Sequence, residues 1–381
     1  MSAARRSGPW LVAIVLVALN LRPAIASVPP LADVIAGELR LNAVATGLLT
    51  TLPVLCMGLF APLAALASRR FSGERVLCAA LALIALGSAL RGLPAWPPLY
   101  SAAVLTGVGI AVAGALLPSL VRARFPDRIG PVTGLYTTGL IGGALFGAGL
   151  TPLLGPWPIA LALWALPAVA ALAVWLVVAV PAVPAPSTRA GERAPLPWRS
   201  RTAWAATFFM GGQSLLYYAS LAWLAARYTA LGDTPAEAGL LLATFSASQL
   251  ISALGLPLLA HRFGDPRPWI AGSVGLTGVS LALVAAVPLA APWLWAALLG
   301  LGMGGQFALA LTVLAGLGST PAESAAASGM ALFGGYLLAA AGPVLFGAAL
   351  DVTGGYLVPF AALAVFALPV LLAGVAAGAP N

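Results

Sequence analysis

Twelve stretches of about twenty or more predominantly apolar residues, parted by arginine, proline and glycine, follow one another from Trp10 to Gly378. A helix needs roughly 20 such residues to cross a hydrocarbon core of about 30 Å at about 1.5 Å per residue. The runs cover residues 10–36, 43–67, 75–93, 98–121, 130–153, 157–180, 202–228, 237–260, 268–289, 292–316, 324–350 and 356–378. Composition says the same: the 381 residues are 61% hydrophobic and 7% charged, against about 45–50% apolar and about 25% charged in soluble domains. Too few polar side chains exist to cover a water-facing surface. A soluble enzyme, a disordered tail and a collagen-like fibre are excluded, and the expected fold class is an all-α membrane protein with 12 transmembrane helices.

All 18 basic residues are arginines, and their placement orients the chain. With the N-terminus in the cytoplasm, only Arg40, Arg91 and Arg227 fall outside and Arg22 falls within the membrane. The other arginines gather on the inner side, as the positive-inside rule requires. Both termini are then cytoplasmic, in a multi-pass membrane protein. The net charge of +8 is spread singly between apolar runs, which does not make a nucleic-acid surface. Cys56, Cys78 and the single histidine, His261, leave no disulfide framework and no metal site. Arg5 and Arg6 ahead of an apolar run resemble a signal peptide, but the run continues through Asn20 and Arg22 without a small-residue cleavage site, so it reads as a retained first span.

One long polar interruption, 181–201, is rich in Pro, Ala and Arg and reads as a flexible cytoplasmic linker. It divides the chain into six-helix halves, 1–180 and 202–381. The halves match at an offset of a little over 190 residues. Leu66-Ala67-Ser68-Arg69-Arg70-Phe71 resembles Leu259-Ala260-His261-Arg262-Phe263, and Gly107-Val108-Gly109-Ile110 resembles Gly300-Leu301-Gly302-Met303. Parallel repeats of this kind are an organisation of secondary carriers.

Arg22 is the most informative residue. It lies twelve positions beyond Trp10, about 18 Å along a helix and close to the midplane. An arginine there costs on the order of 2.5–3.5 kcal/mol on insertion scales and implies a polar cavity or a partner. A buried ion pair or a snorkelling side chain is the plainer alternative. The carboxylates argue against the pair: only Asp33 could enter the membrane, and it stands eleven residues further on, beyond Pro23, Pro29 and Pro30. An uncompensated positive charge favours an anionic or electron-rich polar solute. It also leaves no midplane carboxylate for a proton relay, so the mode of coupling stays open.

Polar and aromatic side chains inside apolar helices either join helices or line a pathway. Asn20 fits both uses equally. The seventh span carries Gln213, Ser214, Tyr217, Tyr218 and Trp223, the eighth Ser246, Ser248 and Gln249, and the tenth Gln306. Concentrated on the first helices of the second half, they fit a substrate site opposite Arg22, with Tyr136 of the fifth span. Gly300, Gly302 and Gly305 spell a dinucleotide-binding pattern without the strand it needs, so close helix packing explains them. Pro343 beside Gly342 bends the eleventh span. Arg69, Arg70 and Arg262 read as topology anchors with a second use in latching a cytoplasmic gate. No catalytic residue, metal or cofactor is expected: paired carboxylates, a His cluster and an activated nucleophile are all missing.

These residues carry a resemblance over essentially the whole length. Asn20-Leu21-Arg22-Pro23, Gly47-Leu48-Leu49-Thr50-Thr51-Leu52-Pro53, Thr133-Gly134-Leu135-Tyr136-Thr137, Gln213-Ser214-Leu215-Leu216 with Tyr218 and Trp223, and Gly335-Tyr336-Leu337-Leu338-Ala339-Ala340-Ala341-Gly342-Pro343 resemble the cyanate and nitroimidazole transporter family of the major facilitator superfamily. The resemblance implies a monomeric twelve-helix carrier of a small anion or small polar nitrogen-containing solute, working by alternating access. It also implies that Arg22 and the polar residues of the seventh span contact substrate. Efflux of drugs or metabolites by the same fold is the alternative, and a non-transporting membrane sensor a remote one. The chain departs from the family pattern in the loop from Ala61 to Arg70, at Gly114, and at Met303, Leu332 and Phe333. These changes make the expected cavity more apolar and admit a larger or partly hydrophobic anion.

Overall fold

The computed structural model describes residues 3–68, 70–179, 195–318 and 320–379. Arg69 and residues 181–194 of the expected linker lie outside the described residues. The first span is broken into α1 (Ala3–Asn20), α2 (Pro23–Ala26), a 3-10 turn (Pro29–Leu31) and α3 (Ala32–Leu39). Spans two to five are the single helices α4 (Ala43–Ala67), α5 (Gly73–Leu90), α6 (Trp96–Arg124) and α7 (Ile129–Leu150), and the sixth joins α8 (Trp157–Ala162) to α9 (Ala165–Val178). Spans seven to twelve are α10 (Arg201–Thr229), α11 (Pro235–Phe263), α12 (Arg267–Ala286), α13 (Pro292–Ala315), α14 (Pro321–Thr353) and α15 (Leu357–Ala377).

Among the described residues, 11 of these spans are long and apolar enough to cross a bilayer. The exception is α10, diluted by Gln213, Ser214, Tyr217, Tyr218 and Ser220. Yet 22 of its 29 residues are buried, so protein, not lipid, surrounds it. A polar helix can sit at membrane depth only in such a place.

Local sequence explains the helix ends. Thr-Pro-Ala-Glu occurs twice, at 234–237 and 320–323, and each time threonine and glutamate form a reciprocal capping box that starts a helix, α11 or α14. The breaks in the first span come from proline. Pro23 has no N–H for the carbonyl of Leu19, and Pro29 and Pro30 deny donors to Ile25 and Ala26. Backbone amides of Ile25 and Ala26 bond to the Arg22 carbonyl instead, at 3.0 Å each.

Two helix pairs join the first six spans to the last six: α4 runs along α14, and α7 along α11. The Thr51 hydroxyl donates to the Ala340 carbonyl at 2.9 Å, and a Cβ at Gly47 would meet the Pro343 carbonyl at 2.5 Å. Contacts are closest at the end of the bundle away from the termini. There Asp351 of α14 accepts from the backbone amides of Ala43 and Val44 at 2.9 and 3.0 Å, a carboxylate on the positive end of α4. Nearby, Asp33 of α3 accepts from the Thr229 hydroxyl of α10. Asp33 is exposed there and pairs with no arginine among the described residues.

Within the last six spans, α11 and α13 approach most tightly where a Cβ on Gly300 would strike the Phe245 carbonyl and one on Gly304 the Gln249 carbonyl. Packing of small residues is the main adhesive between helices in lipid. Gly255, on the same α11, has no neighbour within 4 Å of such a Cβ. Gly300→Ala is therefore expected to cost about 1–3 kcal/mol by overpacking, and Gly255→Ala to be neutral or to stabilise by up to about 1 kcal/mol. Thermal denaturation midpoints of the two variants in detergent check this.

Candidate substrate site

The break after Asn20 places Arg22 on the inner wall of the bundle, between α1 and α2, where its side chain leaves the helix toward α10. Its Nη1 donates to the Tyr218 hydroxyl at 3.2 Å. The guanidinium carbon lies 5.2 Å from the Tyr217 ring centroid and 5.7 Å from that of Tyr218. The two rings meet edge-on, 4.9 Å apart, and Tyr217 stacks on Phe245 at 5.9 Å. No carboxylate pairs with Arg22; the ion pair formed among the described residues is Arg267 with Asp265, at 2.9 Å on the exposed loop before α12. There Arg267 holds the Asp265 carboxyl below its usual range through direct hydrogen bonds.

Arg22 faces a cavity lined also by Gln213, Ser214, Tyr217, Tyr218, Gln249 and Tyr336. Apolar walls come from Leu140, Ile141, Met303 and Phe307. A second chamber shares Arg22, Leu140, Phe307 and Tyr336, and continues past Tyr136, Gly114, Pro118 and Leu311 toward the end that bears the termini. The Tyr218 hydroxyl joins both sets of spans: it accepts from Arg22 and donates weakly to Met57 Sδ at 3.6 Å. Gln213 is tethered by its own helix, its Nε2 donating to Ser214 Oγ at 2.7 Å and the Met210 carbonyl at 3.1 Å. Gln249 holds only a long 3.5 Å bond to the Phe245 carbonyl, so its amide is the freer donor.

Six of the expected site residues thus line one continuous space: Arg22, Gln213, Tyr217, Tyr218 and Gln249 around the cavity, and Tyr136 in the chamber below it. Two do not. Asn20 turns outward, donating to the Leu16 and Pro167 carbonyls at 2.8 and 3.1 Å, because two helix positions separate it from the face of Arg22. Gln306 points away from the cavity into the α12–α13 interface, donating to Thr277 Oγ1 at 2.5 Å and the Ser273 carbonyl at 3.2 Å. Both act as helix glue, the other use open to such residues. Trp223 does the same, donating to the Pro343 carbonyl at 2.9 Å.

Arg70 and Arg262 are exposed, neither forms an ion pair among the described residues, and Arg69 is not among those residues. Arg91, one of the three arginines placed on the outer side, is 1% exposed and turned into the bundle. Of the apolar departures, Met303 and Leu332 line the cavity and chamber, while Phe333 is 41% exposed and faces away. Sequence reasoning passed over Tyr336 as a site residue; the signal was a tyrosine among glycines, in a segment where Gly335 lies against Gly211 of α10.

A bundle of membrane-spanning helices around a central cavity fits a membrane transporter, and comparison with known proteins agrees. The sequence profile of the Major Facilitator Superfamily matches residues 11–229, and the chain belongs to that superfamily. Within it, the chain falls with the cyanate and nitroimidazole transporters. It is 35% identical to the 2-nitroimidazole transporter of Escherichia coli (strain K12), over 96% of this chain and 94% of that one. It is 33% identical to the cyanate transport protein CynX of the same organism, over 92% of each, and 35% identical to the transporter YycB of Bacillus subtilis (strain 168), over 97% and 93%. The fold superposes on the nucleoside transporter NupG with a TM-score of 0.76 at 13% identity, covering 96% of this chain and 99% of that one. A D-xylose–proton symporter gives 0.73 at 15% identity, covering 96% of each.

Tyr218→Phe removes the hydroxyl that accepts from Arg22, a bond to a charged group worth about 1.5–3 kcal/mol. Because that bond is made within the protein, its loss should let the guanidinium shift and lower the denaturation midpoint, with apparent affinity for a transported solute altered as well. Asn20→Ala and Gln306→Ala should lower the denaturation midpoint and leave apparent affinity unchanged. Uptake kinetics and melting curves of the three variants separate the two kinds of residue.

Proposed function

We propose that the protein is a secondary active or facilitative carrier that moves a small anionic or polar nitrogen-containing solute across a bacterial inner membrane by alternating access. The reading is carried by one observation: a guanidinium facing a cavity with tyrosines and amides around it and no carboxylate among the described residues to neutralise it. Such a charge is stabilised most by a ligand that brings the opposite one. Relatives named for cyanate and 2-nitroimidazole, both small and nitrogen-bearing, support the same solute class.

In this reading the halves 1–180 and 202–381 rock about the cavity as a monomer, with both termini and the linker 181–201 in the cytoplasm. The arginine distribution supports that orientation. The chamber leading toward the termini is then the cytoplasmic path, and the close contacts at the far end form a closed periplasmic gate, an inward-facing state. Arg22 anchors the solute, Gln213 and Gln249 supply donors, and Tyr217, Tyr218, Tyr136 and Tyr336 supply the walls. No covalent chemistry is assigned to these residues: the protein translocates and does not catalyse.

Proteoliposome uptake of labelled cyanate and 2-nitroimidazole tests the reading. Arg22→Ala should reduce uptake roughly 10- to 100-fold, the equivalent of losing about 1.5–3 kcal/mol of charge-assisted bonding. Arg22→Lys should keep part of it, since the charge survives and the planar fork does not. Undiminished anion uptake by both variants would overturn the anchor role.

A further inference from the structure

Arg91 follows the last residue of α5 and is the second arginine drawn inside the bundle. At 1% exposure it neither snorkels to an interface nor touches water. No carboxylate among the described residues is within ion-pair distance. Burying a cation in this way is among the costliest choices a membrane protein makes, and an apolar side chain would fill the space without that cost. Its contacts indicate a use. Nη1 donates to the carbonyl of Ala24, and Nη2 to Thr106 Oγ1 at 3.3 Å.

Ala24 stands two residues beyond Arg22, inside the opened turn of the first span. The turn's own bonds go elsewhere: the amides of Ile25 and Ala26 to the Arg22 carbonyl, that of Ser27 to Pro23, and that of Leu31 to Val28. Arg91 thus bonds an acceptor that these turn bonds leave unused. Thr106 is itself fixed, its hydroxyl donating to the Ala102 and Ala103 carbonyls at 2.8 and 3.1 Å. Gly87 lets α5 approach so closely that a Cβ there would lie 2.7 Å from the Thr106 methyl. On the other side of the break, Gly143 of α7 abuts the Leu19 carbonyl and Gly147 lies against Pro23.

We infer that Arg91 is the positioning residue for Arg22: through its bonds to the Ala24 carbonyl and Thr106 it clamps the broken turn against α7 and so aims the Arg22 guanidinium into the cavity. The inference rests on Arg22 being the solute anchor. A broken helix is flexible at its break, and an anchor mounted there contributes affinity only if its backbone is held. One side chain, tied to spans one and four from the end of span three, supplies that hold.

The test compares Arg91→Met, Arg91→Lys and Thr106→Val with wild type and Arg22→Ala, using labelled cyanate and 2-nitroimidazole in proteoliposomes and hydrogen exchange of the purified proteins. Arg91→Met should raise exchange across residues 22–28 while leaving the Tyr217–Tyr218 segment of α10 as protected as in wild type. In uptake, it should raise KM by about tenfold or more with the maximal rate held within about twofold, as expected for a mispositioned binding group. Arg91→Lys, which keeps a donor for Ala24, should restore most of the protection and part of the affinity; Thr106→Val should fall between. Unchanged exchange at 22–28 in Arg91→Met would overturn the clamp. A KM unaltered in all three variants, beside a defective Arg22→Ala, would overturn the positioning role and leave the anchor standing. Full uptake by Arg22→Ala would instead remove the anchor, while the exchange data still decided the clamp. Should Arg91→Met fail to accumulate in the membrane, Arg91→Lys and Thr106→Val carry the same comparisons.

Discussion

A guanidinium at membrane depth has to be solvated by something, and the inner wall of this transporter is arranged around that requirement. Arg22 pairs with no carboxylate among the described residues. What it has is the hydroxyl of Tyr218, the faces of two tyrosine rings and an open cavity. Cation–π attraction and one hydrogen bond offset part of the dehydration cost, about 0.5–2 kcal/mol for each such ring contact, against several kcal/mol for bringing the charge in. In the proposed reading the balance is left for the solute.

Meeting that requirement shapes the surrounding helices. Arg22 reaches the cavity because Pro23 ends α1, and the broken turn that follows is held by groups from other spans. Glycines of α7 press on one side of the break and Arg91 bonds on the other. Across the cavity, α10 carries polar side chains that would exclude it from lipid and is therefore enclosed by its neighbours. The helix that looks least like a membrane span is the one most committed to the site.

The two ends of the bundle differ in the strength of their closure. Away from the termini, Asp351 sits on the N-terminus of α4 and Asp33 on Thr229, and small residues bring α4 onto α14. Toward the termini, the walls of the chamber are Gly114, Pro118, Leu311 and their apolar neighbours, with no comparable bond bridging them among the described residues. Carboxylate–amide bonds and glycine contacts are short-ranged and are lost together when helices separate. Such contacts suit a gate that opens as a unit, and in the proposed cycle they are what opening toward the periplasm has to break.

The sequence by itself determined the fold class and the number of spans, and it singled out Arg22 as the arginine within the membrane. Hydrophobic length, arginine spacing and the rarity of carboxylates are properties of the chain alone, and a bilayer reads them without regard to tertiary contacts. It also held the polar set on α10, since Gln213, Tyr217 and Tyr218 stand out against an apolar background. Only the tertiary structure decided which way the ambiguous residues turn. Asn20, two positions from Arg22, bonds across to Pro167, and Gln306, one position from Phe307, bonds to Thr277 and away from the cavity. A polar residue in a span has the same sequence signature whether it joins helices or faces a solute, and the direction depends on which neighbour supplies an acceptor. Arg91 is the sharpest case: by position it reads as a charge on the outer side, and only the broken turn of a distant span gives it a reason to be buried.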